Sequence, residues 1–174
     1  MIEKMAEVDE IINWRHPEDD ADEWDGFNHS GIEHFLGNPL FSIGREICQN
    51  ALDASDGSGM VTVKFELQTI PINEIPGVDA FRETISACSD EAQNESEKAK
   101  NFFTKATNQI NSGQIKVLQI SDYQTNGMKG PSVNGTPFYA FMKAKGQSKK
   151  DDDAAGSFGI GQFAAFSVSK LRTI

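Results

Sequence analysis

Two cysteines in 174 residues leave no basis for a disulfide framework. Cys48 and Cys88 fit a reducing, intracellular setting, and the expected location is cytoplasmic. Cys48 falls in a helical stretch, where it is expected as a small buried residue. No apolar run approaches the roughly 20 residues that span a bilayer, so no membrane segment is expected. Met1 to Glu10 is mostly polar and acidic, which is not a secretory-signal pattern. Basic residues are scarce at the front. Residues 1–60 hold 14 Asp/Glu against 3 Lys/Arg, a balance of −11, and the whole chain carries −10. That acidity argues against a non-specific grip on nucleic acid, although one local site could still take a polyanion. No internal repeat is present.

Hydrophobic content of 38%, with 12 Phe, 2 Trp and 2 Tyr, suits a globular protein with one real core. Residues 1–36 read as an acidic arm carrying Trp14 and Trp24. The plain role is a solvated lead-in; the sharper one is an arm packing on a partner or over a ligand. Gly37-Asn38-Pro39 punctuates the chain before a helix over Leu40 to Ser55, closed by the turn Asp56-Gly57-Ser58-Gly59. Met60 to Thr69 alternates, so Val61, Val63, Phe65 and Leu67 are expected to face a core from a strand. Gln114 to Ser121 reads as a second strand, with Ile115, Val117 and Ile120 inward. Between them Val78 to Asn111 is charged and Ala-rich, without Gly or Pro. It predicts one long or two shorter helices, packed through Phe81, Ile85, Phe102, Phe103 and Ile110, as an insertion over about 77–112 that covers a sheet edge. Phe138 to Ala144 and Gln162 to Ser169 are expected helices, and Leu171 to Ile174 the start of a strand. The fold class expected is α+β.

The chemistry concentrates on Arg45 to Ser55. Glu46, Asn50 and Asp53 are spaced i, i+4, i+7 and share a helix face. Ile43, Ile47, Ala51 and Ala54 form another, apolar face. A carboxylate, a carboxamide and a second carboxylate in a row can hold a water, a metal and a ligand at fixed separations. Farther on, Gly156-x-x-Gly159-x-Gly161 opens a helix, where glycines let backbone N–H groups and the helix dipole approach an anion. No hydrophobic strand leads directly into it and no Gly-Lys-Ser/Thr follows, so it is neither a dinucleotide fingerprint nor a P-loop. Asp122 ends the second strand, before Tyr123-Gln124-Thr125-Asn126-Gly127-Met128. A carboxylate there can accept a hydrogen bond from an exocyclic amine, or simply cap an Asx turn.

In this order the three elements resemble the GHKL superfamily: gyrase-type topoisomerases, heat-shock-protein-90 chaperones, histidine kinases and MutL-type repair proteins. The resemblance covers roughly Gly37 to Lys170. It implies the Bergerat fold, a two-layer α/β sandwich of a mixed, mainly antiparallel sheet with helices on one face. It implies ATP and Mg²⁺ as cofactors and ATP hydrolysis as the activity. Glu46 matches the general base for the attacking water, and Asn50 the oxygen ligand of Mg²⁺. Asp53 matches a polar residue on the nucleotide side, and Asp122 the carboxylate that accepts the adenine amine. Gly127 and Met128 match the turn and apolar wall at the base. Gly156, Gly159, Ile160 and Gly161 match the hinge of an ATP lid over about 145–161 and the phosphate-binding helix start. Gly146, Ser148 and Lys149 resemble the Gly-x-Ser-x-Lys element that opens such a lid, and Lys149, or equally Lys150, would reach the phosphates.

Two departures stand out. The family's loop is Asp-x-Gly-x-Gly, whereas here Gln124 holds the first glycine position and the glycine arrives at Gly127. The family's sheet also continues past the last glycine-box helix, so the resemblance implies a sheet incomplete at Ile174 and a larger protein. The partners implied are ATP or ADP, a second copy on ATP binding, and an effector domain beyond these residues. A nucleotide-gated interaction module with negligible turnover is the alternative. A histidine-type protein kinase is less favoured, because His16, His29 and His34 are the only histidines and no phosphoacceptor helix pair precedes the domain.

Overall fold

The computed structural model describes residues 29–139 and 161–174. The elements run α1 (Ser30–Phe35), α2 (Pro39–Asp53), β1 (Thr62–Pro71), α3 (Val78–Glu91), α4 (Glu97–Ile110), β2 (Gln114–Tyr123) and α5 (Phe163–Val168). The chain is α+β, and β1 and β2 pair as a two-stranded antiparallel sheet. Among the described residues the chain divides into two units, one of Thr69–Lys116 and one of 29–68 with 117–139 and 161–174. The acidic segment 1–28 lies outside the described residues. Ser30–Phe35, read from sequence as the end of that arm, form α1, with Phe35 buried.

The first unit is a helical hairpin with its own core. The expected insertion resolves into two helices, α3 and α4, joined through a 3₁₀ turn at Ala92–Asn94. Ser96 caps α4 by accepting from the Ala99 N–H. Phe81 and Ile85 of α3 and Ala99, Ala106 and Ile110 of α4 are buried, while Phe102 and Phe103 are half-buried and meet edge to face. Small alanines on α4 let the two helices approach closely. Arg82 of α3 ties the pair further by donating to the Ile110 carbonyl at the end of α4 (3.4 Å). The excursion leaves and returns at one place: the Ile72 N–H donates to the Gly113 carbonyl at 3.2 Å.

The second unit carries α2, whose start is set by Pro39 at the first helical position, where its fixed φ suits the helix. Its buried face runs through Ile43, Glu46 and Ala51. Ile43 joins Phe35 of α1 and Ala164 of α5 in a small cluster, with Ile47, Ile120, Phe163, Ala165 and Val168 packed around it. α1 and α5 are each six residues long. Isolated helices that short are not stable in water, so tertiary packing holds them. Phe163 supplies part of it. Its ring stacks on His29 (4.3 Å between centroids) and lies so close over Gly31 that a Cβ there would collide with it.

Several expectations need correction. Cys48 is exposed, because it points away from the Ile43–Ile47–Ala51 face that packs. Phe65, Leu67 and Val117 are 43%, 66% and 37% exposed rather than core. The cluster beside the sheet is small and includes β2 at Ile120, too little to cover the ribbon, whereas Ile115 is buried as expected. Leu171 to Ile174 is no strand. Arg172 takes φ 53, and its guanidinium turns back to donate to the Phe166 and Ser167 carbonyls (3.0 and 3.2 Å), which caps α5. A helical turn begins at 137–139, with the Tyr139 N–H donating to Thr136 Oγ1; the rest of the helix expected there lies outside the described residues.

Candidate functional site

Every described site residue belongs to the second unit. The polar face of α2 is graded along its length. Glu46 is 7% exposed, whereas Asn50 and Asp53 one and two turns on are exposed. Sequence spacing alone placed the three on one helix face; the structure sinks its first member into the packing against α5.

Glu46 is held from two sides. Arg45, its chain neighbour, donates to Oε1 through Nη2 at 2.5 Å and Nε at 3.2 Å. The Arg45 side chain stays 56% exposed, so this is a clamp of a buried carboxylate by a guanidinium that remains in water. The other oxygen, Oε2, lies against Gly161. A Cβ on Gly161 would overlap that oxygen, so the close approach requires a glycine. Gly161 directly precedes α5, and its carbonyl accepts from the Ala164 N–H at 3.1 Å. The last glycine of the Gly156–Gly161 box and the first carboxylate of α2 are thereby neighbours. Gly156, Gly159, Ile160, Ser148 and Lys149, with the lid expected over 145–161, lie outside the described residues.

The Asp122 loop docks on the C-terminal end of α2, about two turns beyond Glu46. The Asn126 N–H donates to the Ala54 carbonyl at 2.8 Å, and the Asp56 N–H donates to the Gln124 carbonyl at 3.2 Å. Ser55 and Thr125 form an isolated antiparallel bridge between these bonds. The Asn126 side-chain amide donates to the Ala54 and Ser55 carbonyls as well, both at 3.4 Å. These bonds occupy carbonyls that the end of a helix leaves without intrahelical partners. Asp122 itself is exposed on β2, and its Oδ2 accepts from the Thr125 hydroxyl. Along α2, Glu46 and Ala54 are eight residues apart, about 12 Å at the helical rise.

Gln124 stands where the resembled loop has its first glycine. It sits at φ 58, in the left-handed region that glycine favours and few other residues enter. The backbone here takes a conformation that suits glycine, with a glutamine in the position. With its amide oriented to satisfy its neighbours, Nε2 donates to the Met60 carbonyl at 3.1 Å, a contact glycine could not make. Gly127 follows at φ 61, and Met128 is 55% exposed beside it.

Sequence reasoning did not single out Arg45 or Thr125. The signal for Arg45 was its adjacency to Glu46. For Thr125 it was a hydroxyl three residues after Asp122, an ordinary Asx-turn spacing that does not stand out. Among the described residues no group of three His, Cys, Asp or Glu gathers as a metal cage. The described histidines serve α1: His29 Nδ1 accepts from the Gly31 N–H, and His34 stands edge-on to Phe35. No described helix is long and apolar enough to cross a membrane. Compared with family models, curated proteins and solved structures, the chain matches none.

Proposed function

We propose that the protein binds ATP with Mg²⁺ in a site of GHKL type and hydrolyses it, with lid closure coupled to a conformational change in a larger assembly. One observation carries the reading. Three sequence-distant elements meet along one helix, with Gly161 against Glu46 at one place and the Asp122 loop bonded to Ala54–Asp56 at the other. A mononucleotide laid between them would have its base near Asp122 and its phosphates near Gly161. The two-layer Bergerat sandwich, with a sheet wider than the two strands described, belongs to the same proposal.

In this reading Asp122 accepts the adenine amine, and Gly127 and Met128 flank the base. Asn50 is exposed on the face between the two ends, so its carboxamide oxygen fits a ligand of Mg²⁺, which prefers hard oxygen donors and keeps several waters. Bound there, Mg²⁺ would neutralise phosphate charge. Asp53 lies farther along the same helix, on the nucleotide side. Gly161 and the N–H groups after it would face the phosphates from the start of α5. Glu46 acts as general base by orienting the attacking water and taking its proton, a role worth about 10²–10⁴-fold. The Arg45 clamp keeps that carboxylate aimed.

The test is Mg-dependent phosphate release from ATP, alongside calorimetric binding. Glu46→Ala is expected to lower turnover by about 10²-fold or more while ATP still binds. Asn50→Ala is expected to remove the Mg²⁺ dependence of binding. Absence of ATP binding would sink the reading, and unchanged turnover in Glu46→Ala would sink the base assignment.

A second reading has its own support. Both oxygens of Glu46 are engaged, one by Arg45 and one against Gly161. A base so held suits a nucleotide-gated interaction module with negligible hydrolysis, in which binding alone is the switch. Tight ATP binding without phosphate release would select it.

A further inference from the structure

We propose that Thr125 is a positioning residue that makes this site select adenine over guanine, by aiming the Asp122 carboxylate. The inference rests on the ATP-site reading and extends it to a residue outside the resembled motif.

The geometry is specific. The Thr125 hydroxyl spends its one proton on Asp122 Oδ2. The carboxylate keeps accepting capacity for a ligand, with one of its oxygens tied by that bond. Thr125 cannot drift, because its backbone bridges Ser55 and its neighbours on both sides bond the end of α2: Gln124 through the Asp56 N–H (3.2 Å), Asn126 through the Ala54 carbonyl (2.8 Å). Lys129 adds a further tie, donating to Asn126 Oδ1 at 3.2 Å. An exposed aspartate on a strand end would otherwise sample several rotamers. Here it is referenced, through one hydroxyl, to the helix that carries Asn50 and Glu46.

The chemistry of the base edge does the rest. Adenine presents an amine donor where guanine presents a carbonyl oxygen. A carboxylate oxygen fixed at that point pairs with the first and repels the second. A carboxylate free to swing aside loses much of both effects. Selectivity thus depends on the orientation of Asp122 and not only on its presence.

Binding of ATP and GTP to the protein and to Thr125→Val, Thr125→Ser and Asp122→Ala tests this by calorimetry. Valine keeps the β-branched shape that suits the bridge and removes only the hydroxyl. We expect Thr125→Val to weaken ATP about tenfold, the scale of one hydrogen bond to a charged group, while GTP binding holds or tightens as the repulsion relaxes. Thr125→Ser should restore the preference. In an Asp122→Ala background the valine substitution should have no further effect, since its target is gone. Three results overturn the proposal while leaving the ATP site standing: an unchanged ATP/GTP ratio in Thr125→Val, equal loss of both nucleotides, or the same tenfold loss in the Asp122→Ala background. If the unsubstituted protein binds no adenine nucleotide, the ATP-site reading fails and this inference fails with it.

Discussion

The two units spend their hydrophobic residues in opposite ways. Among the described residues, Thr69–Lys116 holds nine of the thirteen buried hydrophobics, from Ile72 to Ile115, and none of the twelve large exposed ones. The unit with the candidate site holds all twelve, among them Leu40, Phe41, Phe65, Leu67 and Met128, around a cluster of three buried side chains. The helical hairpin is held by core packing. The site is held by hydrogen bonds, a glycine contact and one clamped carboxylate. Parts with few buried contacts open at low free energy, and ligand-responsive elements are drawn from them. A nucleotide that bound the second unit would therefore stabilise it by mass action, with no need for a larger core.

The comparison breaks most sharply at Ile110, the largest fully buried side chain among the described residues. Ile110→Ala is expected to cost about 2–5 kcal/mol, through lost transfer energy and the cavity left between α3 and α4. Circular dichroism melting should register the loss, while ATP affinity should not change. A parallel fall in affinity would show that the hairpin supports the site.

Gly161 is the corresponding point in the other unit, where a single methyl attacks geometry and not core. Gly161→Ala must push Glu46 or α5 aside. A displacement of about 1 Å can cost about 10²-fold in turnover, roughly 2.7 kcal/mol of barrier. Single-turnover phosphate release is the measurement. Full activity in the alanine variant would mean that Glu46 does not work from this position.

Gln124 sharpens the contrast at smaller scale. A β-branched residue is strained in the left-handed region, so Gln124→Val should destabilise by about 1–3 kcal/mol through the loop alone. Gln124→Gly removes the strain but also the bond to Met60, and glycine adds chain entropy of about 0.5–1 kcal/mol to the unfolded state. The two changes should therefore differ clearly in thermal midpoint, with glycine close to the parent. If valine and glycine behave alike, the turn is not what the residue is there for.

How much of this was legible in the sequence follows from which forces set each part. α2, α3, α4 and both strands were readable because their apolar periodicity is local. The boundaries moved by one or two residues, as with Pro39–Asp53 against the expected 40–55. The burial of Glu46 was not readable, because i, i+4, i+7 spacing defines a face and not what covers it. Phe65 and Leu67 looked like core by alternation, yet alternation marks a side that can be buried, not one that is. Arg172 turns the chain by reaching back to carbonyls, a tertiary choice that four residues of pattern do not contain. The docking of the Asp122 loop on α2 joins residues some seventy positions apart, and no local rule reports that.

Asp56 gives a smaller, pH-resolved test of the same turn. The Ser58 side chain first, and then the Ser58 N–H, which donates to the carboxylate at 2.8 Å, hold the Asp56 pKa below the ordinary 3.8. A lowered folded-state value means their contribution is present above about pH 4 and fades as pH falls through the folded value. Thermal midpoints of the protein and Asp56→Asn should run parallel from pH 8 to 5 and converge only in stronger acid. The group is fully exposed, so the effect is small. Divergence at neutral pH would assign the residue another partner.

The comparison ends on a change expected to do nothing. Ile72 and Gly113 are hydrogen-bonded, so the chain between them leaves and re-enters the ribbon at one point. Replacing 73–112 by Asn-Gly closes β1 onto β2 with a turn whose twist suits an antiparallel pair. The replacement removes seven of that unit's nine buried hydrophobics and leaves Ile72 and Ile115 beside the turn, while the contacts that assemble the site, Asn126 to Ala54, Asp56 to Gln124 and Gly161 against Glu46, are all kept. Nucleotide affinity should then match the parent within the twofold scatter of calorimetry. A large loss would mean that 73–112 contributes to nucleotide binding, and the division between a unit that folds by packing and a unit that binds by geometry would have to be abandoned.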